Sequence, residues 1–349
     1  MPKVTIVQVV YNSRKFISPV FSAIFNQTFQ NFNVVAVIAG NDDGGKELLM
    51  QKFPQVEVID PGYNIGFAKG HNLVFEKYAN LSLTLPKLGE GNHNEKSTEF
   101  FQLVNPDMIM EPNYIEEMLK AFEDEKVGAA TGKLLRFDFD KNQKTNIIDT
   151  TGVVISKSGR ARDRGQHEVD NGQFDNLTSV QAVSAAGAMY RRSALQATSY
   201  PPAGRAGKLQ ASKEFFDEDF HSYWEDVDLT WRMSNAGFKC VFIPSAVGYH
   251  ARGAGSSAGG YKDIVGFIKH HRALSPRVRQ LNYQNHIFMY IKNSKWFYPQ
   301  FFVRELFMFL YILFFEIGTL KILPKMLKLL SKMFAKRREI NTNIERGRV

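Results

Sequence analysis

The chain is short of several things, and each shortage excludes something. One cysteine in 349 residues, Cys240, excludes an internal disulfide and fits a reducing compartment. The start, Met1-Pro2-Lys3-Val4-Thr5-Ile6-Val7, lacks the apolar segment and small-residue cleavage site of a signal peptide and reads as a first strand. The expected location is therefore cytoplasmic, and the sequons at Asn80 and Asn176 are read as chance. No run is long enough to span a bilayer. Residues 306–315 are ten uncharged apolar residues, about half of the ~20 required, and extension to Leu323 takes in Glu316 and Lys321. The dinucleotide glycine fingerprint is missing too, since Asn64-Ile65-Gly66-Phe67-Ala68-Lys69-Gly70-His71-Asn72 carries glycine only at 66 and 70.

What is present is a folded chain with an uneven charge. Hydrophobic residues make up 44%, ample for a core. Residues 262–349 hold 17 Lys and Arg against 5 Asp and Glu, so a basic C-terminal region follows a mildly acidic body. That asymmetry points to an anionic surface, either nucleic acid or membrane phospholipid. Beyond Pro324, lysines at 325, 328, 332 and 336 alternate with Met326, Leu327, Leu330, Met333 and Phe334. The spacing predicts one basic and one apolar helical face, as in a helix lying in a membrane interface, or else a helix packed on the protein's own core. The interleaved apolar residues favour the membrane, and no nucleic acid partner is expected.

Along the first hundred residues strands and helices alternate. Strands are expected at 4–10, 32–39 and 56–59, with helices over 19–25, 46–53 and 67–78. Such alternation predicts a mostly parallel, doubly wound nucleotide-binding sheet flanked by helices. Residues 83–99 read as a polar insertion, 182–190 as a small-residue strand, 200–214 as a loop and 224–235 as a helix.

Three places carry chemistry. The strand 100–104 must end at Asn105-Pro106-Asp107, because Pro106 has no amide proton and biases Asn105 to extended backbone. Asp107 then stands at the carboxyl end of a strand, the edge where open α/β sheets bind ligands, and suits a divalent cation holding phosphates. Otherwise it merely precedes a capped helix. Glu225-Asp226, beside Trp224, makes a general-base site or a carboxylate cluster favoured by the helix dipole. Asp228 and Arg232, four apart, read as a structural pair. His250 stands before the glycine-rich segment 253–260, which reads as a lid, although a lone histidine is more often structural.

The order of these motifs resembles glycosyltransferase family 2, the inverting sugar-nucleotide-dependent enzymes of GT-A fold, and within it the rhamnosyltransferase-like branch. The resemblance covers about residues 3–330. It implies donor contacts from Tyr11, Asn12, Asp42, Asp43, Asn64, Gly66, Phe67, Asn72 and Asn105. It further implies acceptor contacts at Gly187 and Trp224, metal ligands Asp107 and His250 for Mg²⁺ or Mn²⁺, and Asp226 as catalytic base supported by Glu225. Two positions depart from the pattern. Ile38 stands where the family usually has a base-reading Asp, which passes that role to Asp42 or Asp43. Asn105 replaces the first acid of Asp-x-Asp, leaving Asp107 as that motif's only charged ligand.

The expected organisation is a catalytic domain over 1–261, with a sugar-nucleotide half at 1–133 and an acceptor half at 134–261. A basic, helical, membrane-associating tail over 262–349 follows. The expected activity is transfer of a sugar, rhamnose from dTDP-rhamnose as first choice, to a surface polysaccharide or polyprenyl-linked glycan at the inner face of the cell membrane. The alternatives are a nucleic-acid-binding protein and a nucleotidyltransferase that makes sugar nucleotides. The latter is disfavoured because Tyr11-Asn12-Ser13-Arg14-Lys15 has no glycine.

Overall fold

The structure, a computed structural model, describes residues 3–40, 43–79, 98–200, 214–251 and 264–345. The β-branched run Val4–Val10 forms β1, buried along its whole length. It pairs in parallel with β2 (Phe32–Ile38) on one side and β4 (Phe100–Leu103) on the other, and β3 (Glu57–Ile59) pairs in parallel with β2. Alternate β1 side chains feed two core layers. Val4, Ile6 and Val10 pack with α1 (Arg14–Phe25) and α4 (Tyr114–Lys120), while Val7 and Val9 face α3 (Gly66–Ala79). A sheet covered on both faces explains why its strands are continuously apolar. The second helix, α2 (Gly45–Lys52), packs beside α1.

Beyond β4 the sheet changes direction. Strand β11 (Ala188–Arg191) runs antiparallel to both β4 and β6 (Val127–Asp138), and β12 (Lys239–His250) lies parallel to β6. The small-residue strand expected over 182–190 is thus confined to its end. Its upstream backbone is used elsewhere: the Ala185 amide donates to Asp226 Oδ2 (3.0 Å), and the Ala186 carbonyl accepts from the Asn105 amide (2.9 Å). Groups committed to such cross-links cannot join a ladder.

Two strand pairings assemble the site's floor. Strand β12 shifts register between Ile243 and Val247, then pairs antiparallel with β5 (Met108–Met110), setting His250 opposite Met108. Strand β7 (Gln143–Thr150) pairs with β6 and brings Asp149 to the same end. A hairpin of β8 (Val153–Ile155) and β9 (Ala161–Asp163) forms a rim, and the two-residue β10 (Ser179–Val180) closes the sheet on β12. The helix predicted around the second acidic motif is α6 (Glu225–Asn235), which follows α5 (Arg192–Thr198).

The C-terminal region is α7 (Ile264–Ala273), α8 (Pro276–Asn293), α9 (Pro299–Phe315) and α10 (Leu323–Glu345). Here the lysine pattern needs a correction. Lys336 is buried against Glu214, Asp217 and Asp219 (3.0, 2.6 and 2.8 Å), and Lys332 pairs with Asp219 (2.7 Å). Half of the supposedly membrane-facing lysines therefore face the protein's own carboxylates. The apolar face of α10 is likewise used inward through Met326 and Met333. An amphipathic pattern reports two faces and not what covers them, which is why sequence alone favoured the wrong partner for these residues.

Helix α8 joins the same network. Lys292 Nζ reaches Asp217 Oδ2 (2.6 Å), Asp228 Oδ2 (2.8 Å) and the Tyr200 hydroxyl (3.0 Å). Arg232 Nε bonds Asp228 Oδ2 (3.1 Å), the pairing that their spacing predicted. The ten-residue apolar run lies in α9 and stays largely uncovered: Leu306, Leu310 and Phe314 are 61%, 42% and 74% exposed. Among the described residues no single helix is long and apolar enough to cross a membrane, and α9 bends by 115° from the helix after it.

Candidate active site

The carboxyl edge of β1 and β4 opens into a cavity of about 880 Å³. Tyr11, Asn64, Gly66 and Phe67 line one wall, and Asn105, Asp107 and His250 form the floor. Trp224, Glu225 and Asp226 line the opposite wall. The two acidic motifs, more than a hundred residues apart in sequence, thus face one space.

The first wall is a turn built by Asn64, whose Oδ1 accepts the Gly66 amide (2.9 Å). Gly66 has φ +78°, and a Cβ there would lie 2.5 Å from His221 Nδ1. Only glycine fits both the left-handed backbone and the space. The His221 carbonyl accepts the next amides, of Phe67 (3.0 Å) and Ala68 (3.2 Å), tying the start of α3 to the segment before Glu225.

On the floor, His250 Nδ1 meets Asp149 Oδ2 at 2.9 Å and Nε2 meets Asp107 Oδ1 at 3.2 Å. Asn105 Nδ2 lies 3.4 Å from the same Nε2. Burial alone would lower the His250 pKa, but the two carboxylates outweigh it and raise it to about 9. Burial would conversely raise Asp107, and His250 overcomes this and holds it below the usual carboxylate range. A carboxylate and an imidazole converge here, with the imidazole's far nitrogen fixed by a buried carboxylate. That is the arrangement of a metal-ligating histidine. These residues fit a divalent cation as two of its ligands. Among the described residues no group of three or more His, Cys, Asp and Glu side chains could hold a metal alone.

On the far wall Tyr223 and Trp224 both adopt left-handed backbone (φ 72°) immediately before α6. Consecutive non-glycine residues in this region are strained and persist only when the surroundings impose them. Here Asn285 of α8 imposes them: its Nδ2 donates to the carbonyls of Phe220, Ser222 and Tyr223, each at 2.9 Å. Trp224 Nε1 is also held from α8, by Asn282 Oδ1 (3.1 Å). Glu225 is buried and Asp226 half-buried. Burial first, and the neighbouring Asp226 second, push the Glu225 carboxyl well above its usual pKa. A proton retained on Glu225 spares Asp226 a like charge at contact distance. Asp226 is oriented by amides, of Ala185 at Oδ2 (3.0 Å) and of Val227 at Oδ1 (2.8 Å).

A pattern match covers residues 2–266 with the family described as glycosyltransferase like family 2. The chain belongs to this glycosyltransferase family. It is an enzyme that transfers sugar from a sugar nucleotide, which sets the nucleotidyltransferase alternative aside. It is 25% identical over 255 residues to the N-acetylglucosaminyl-diphospho-decaprenol L-rhamnosyltransferase of Mycobacterium tuberculosis, covering 70% of this chain and 75% of that one. The crystal structure of GalNAc-T7 with UDP, GalNAc and Mn²⁺ is similar in fold, with TM-score 0.57 at 10% identity, over 97% of this chain. This chain spans 54% of that protein's length. The architecture is the GT-A fold that the sequence predicted.

Within this glycosyltransferase, several predicted contacts lie off the cavity. Asn72 is buried in α3 and clamps the Phe216 backbone, donating to its carbonyl (2.8 Å) and accepting from its amide (2.9 Å). Asp43 accepts from the Arg14 and Gly45 amides (both 2.9 Å), which serves the starts of α1 and α2. Asn12 occupies a left-handed turn (φ 48°) outside the lining. Gly187 is interior: its carbonyl accepts the Tyr114 hydroxyl (2.7 Å), and a Cβ there would meet that oxygen at 2.8 Å. No acceptor reaches it in this geometry. Asp42 and the supposed lid at 253–260 lie outside the described residues. Sequence reading missed Asp149, His221 and Asn285, which orient the site from a distance. Only Asp149 left a trace, as an acid that breaks the apolar run Ile147-Ile148.

Proposed function

We propose that this glycosyltransferase moves a sugar, with rhamnose from dTDP-rhamnose as first choice, onto a lipid-linked glycan by a single inverting displacement. The observation that carries the reading is the single cavity with Asp226 on one wall and the Asp107–His250 pair on its floor. The carboxylate of Asp226 takes the acceptor hydroxyl proton as that oxygen bonds to the anomeric carbon. The anomeric carbon–oxygen bond to the diphosphate breaks, and the nucleoside diphosphate leaves with the electron pair. Asn64 and Gly66 shape the wall against which the donor lies, and Phe67 shields it from water. Asp107 and His250 would hold a divalent cation, Mg²⁺ or Mn²⁺, which when bound would supply positive charge beside the diphosphate. The choice of sugar and acceptor is supported by the name of the mycobacterial relative. A panel of sugar nucleotides, scored for nucleoside diphosphate release with a prenyl-diphosphate-linked N-acetylglucosamine acceptor, tests it. Absence of acceptor-dependent release from every donor would sink the reading.

Cation binding should be steeply pH-dependent. A histidine ligates only when neutral, and Asp107 and Asp149 raise the His250 pKa to about 9 when no cation is bound. Between roughly pH 7 and 8.5, apparent Mn²⁺ affinity should rise about tenfold per unit, with about one proton released per ion. In His250→Asn the slope should flatten, as read by calorimetry in two buffers of different ionisation enthalpy.

The enzyme would work on an anionic membrane surface, at its inner face, with α9 as the contact in place of the inward-turned lysines of α10. Support comes from the continuous exposed series Phe302, Leu306, Leu310 and Phe314, followed in the chain by exposed Lys321 and Lys328. Leu306→Glu, Leu310→Glu and Phe314→Glu combined should abolish flotation with anionic vesicles at unchanged melting temperature. Unaltered flotation would remove α9 from the contact.

A further inference from the structure

A second cavity, of about 1100 Å³, lies between the β8–β9 hairpin and α9. Three side chains line both it and the catalytic cavity: Arg160 and Arg162 of the hairpin and Arg304 of α9. The two spaces therefore adjoin at three arginine residues. Elsewhere the second cavity is walled largely by Val154, Ile155, Pro299, Val303 and Phe307, with hydroxyls from Ser156 and Ser158 near the hairpin turn. Val303 and Phe307 are 69% and 55% exposed, so the apolar wall continues onto the uncovered face of α9. An apolar gutter thus runs from that face to a cationic junction, and the junction adjoins the cavity that Asp226 lines.

We infer that the arginine junction binds the diphosphate of a lipid-linked acceptor, whose hydrocarbon chain lies along the α9 gutter while its sugar reaches the catalytic cavity. The inference rests on the reading of the acceptor as a lipid-linked glycan and says which residues select it. Guanidinium forks match phosphate oxygens two at a time, and three around one space offer charge that neutral glycan recognition would not need. Arg304 is already oriented: its Nη1 lies 2.9 Å from His286 Nδ1. Burial, and then Arg304 itself, lower the His286 pKa to about 4, so this imidazole is neutral and accepts. Glu305 also contacts Arg304 and removes part of its charge. Arg162 is solvent-exposed, and so is available to a ligand and tolerant of substitution.

The test is equilibrium binding of farnesyl diphosphate to the full chain, compared with farnesol and with inorganic diphosphate. Farnesyl diphosphate should bind at least about tenfold more tightly than either, since both the chain and the anion contribute. Arg160→Ala with Arg162→Ala should weaken it by about tenfold or more, and the single exposed change Arg162→Glu should weaken it in the same direction with unchanged melting. Saturating nucleoside diphosphate should leave the affinity unaltered. Equal binding by the arginine variants, competition by the nucleotide, or inorganic diphosphate binding as tightly as the prenyl form would each overturn the assignment. A chain that binds the probe as stated but turns over no donor refutes the proposed function alone. Transfer to a prenyl-linked acceptor with arginine-independent probe binding refutes this assignment alone.

Discussion

Asp226→Asn is expected to lower sugar transfer by ~10²–10⁴-fold, the usual worth of a positioned general base. The substitution removes the basicity and one of two anchoring hydrogen bonds. Asparagine keeps one oxygen to accept from either the Ala185 or the Val227 amide, now 3.0 and 2.8 Å away, and sets its NH2 against the other. Nucleotide binding should stay within about twofold, because the walls at Asn64 and Asp107 are untouched. A stopped assay of nucleoside diphosphate release, paired with nucleotide binding by calorimetry, reads both quantities. Transfer at the native rate would take Asp226 out of the mechanism. Glu225→Gln makes a useful companion, since burial and the neighbouring Asp226 already favour the protonated carboxyl over the charged one.

Lys292→Met is expected to cost about 3–5 kcal/mol of stability, the range for removing one partner of a buried ionic group. Lys292, Asp217 and Asp228 are all fully buried, so water cannot replace the lost charge, and Lys336 and Arg232 are left to hold Asp217 and Asp228 without their shared partner. The loss should carry a pH signature. Burial tends to raise the Asp217 pKa, but Lys292 and Lys336 together drive it well below the ordinary 3.8. A carboxylate depressed in this way gives stability that is complete above its unfolded value and fades as pH falls through the folded one. The gap between wild type and variant should therefore be full at neutral pH and narrow below about pH 4. Thermal melts across that range check it, and a gap independent of pH would mean that Lys292 acts through packing alone.

How far the sequence could be read depended on the range of each interaction. Asn105-Pro106-Asp107 announced a strand end because proline acts on its own neighbours, and Glu225-Asp226 announced a helix start for equally local reasons. The β-branched run at 4–10 likewise predicted the central strand. The contacts that finish the site are long-range. Asp149 meets His250 across 101 positions, and Asn285 holds the Phe220 carbonyl across 65. No local pattern marks either. Asn72 shows the opposite failure: it sits in a recognisable motif, yet its amide serves the Phe216 backbone and not the cavity.

The role of α8 bears on how this enzyme could be recombined with others. The part matched to the family ends at residue 266, ten positions before α8 begins. A chimera joined at that border would inherit Asp226 without Asn285 or Lys292, and so without the groups that bend and anchor the loop ahead of it. The working unit of exchange runs past the recognisable domain: α6 and α8 must come from the same parent. Swaps meant to alter donor choice are best cut on the other side of the cavity, where Asn64 and Gly66 shape the wall from a local turn, with His221 kept because it holds the start of α3.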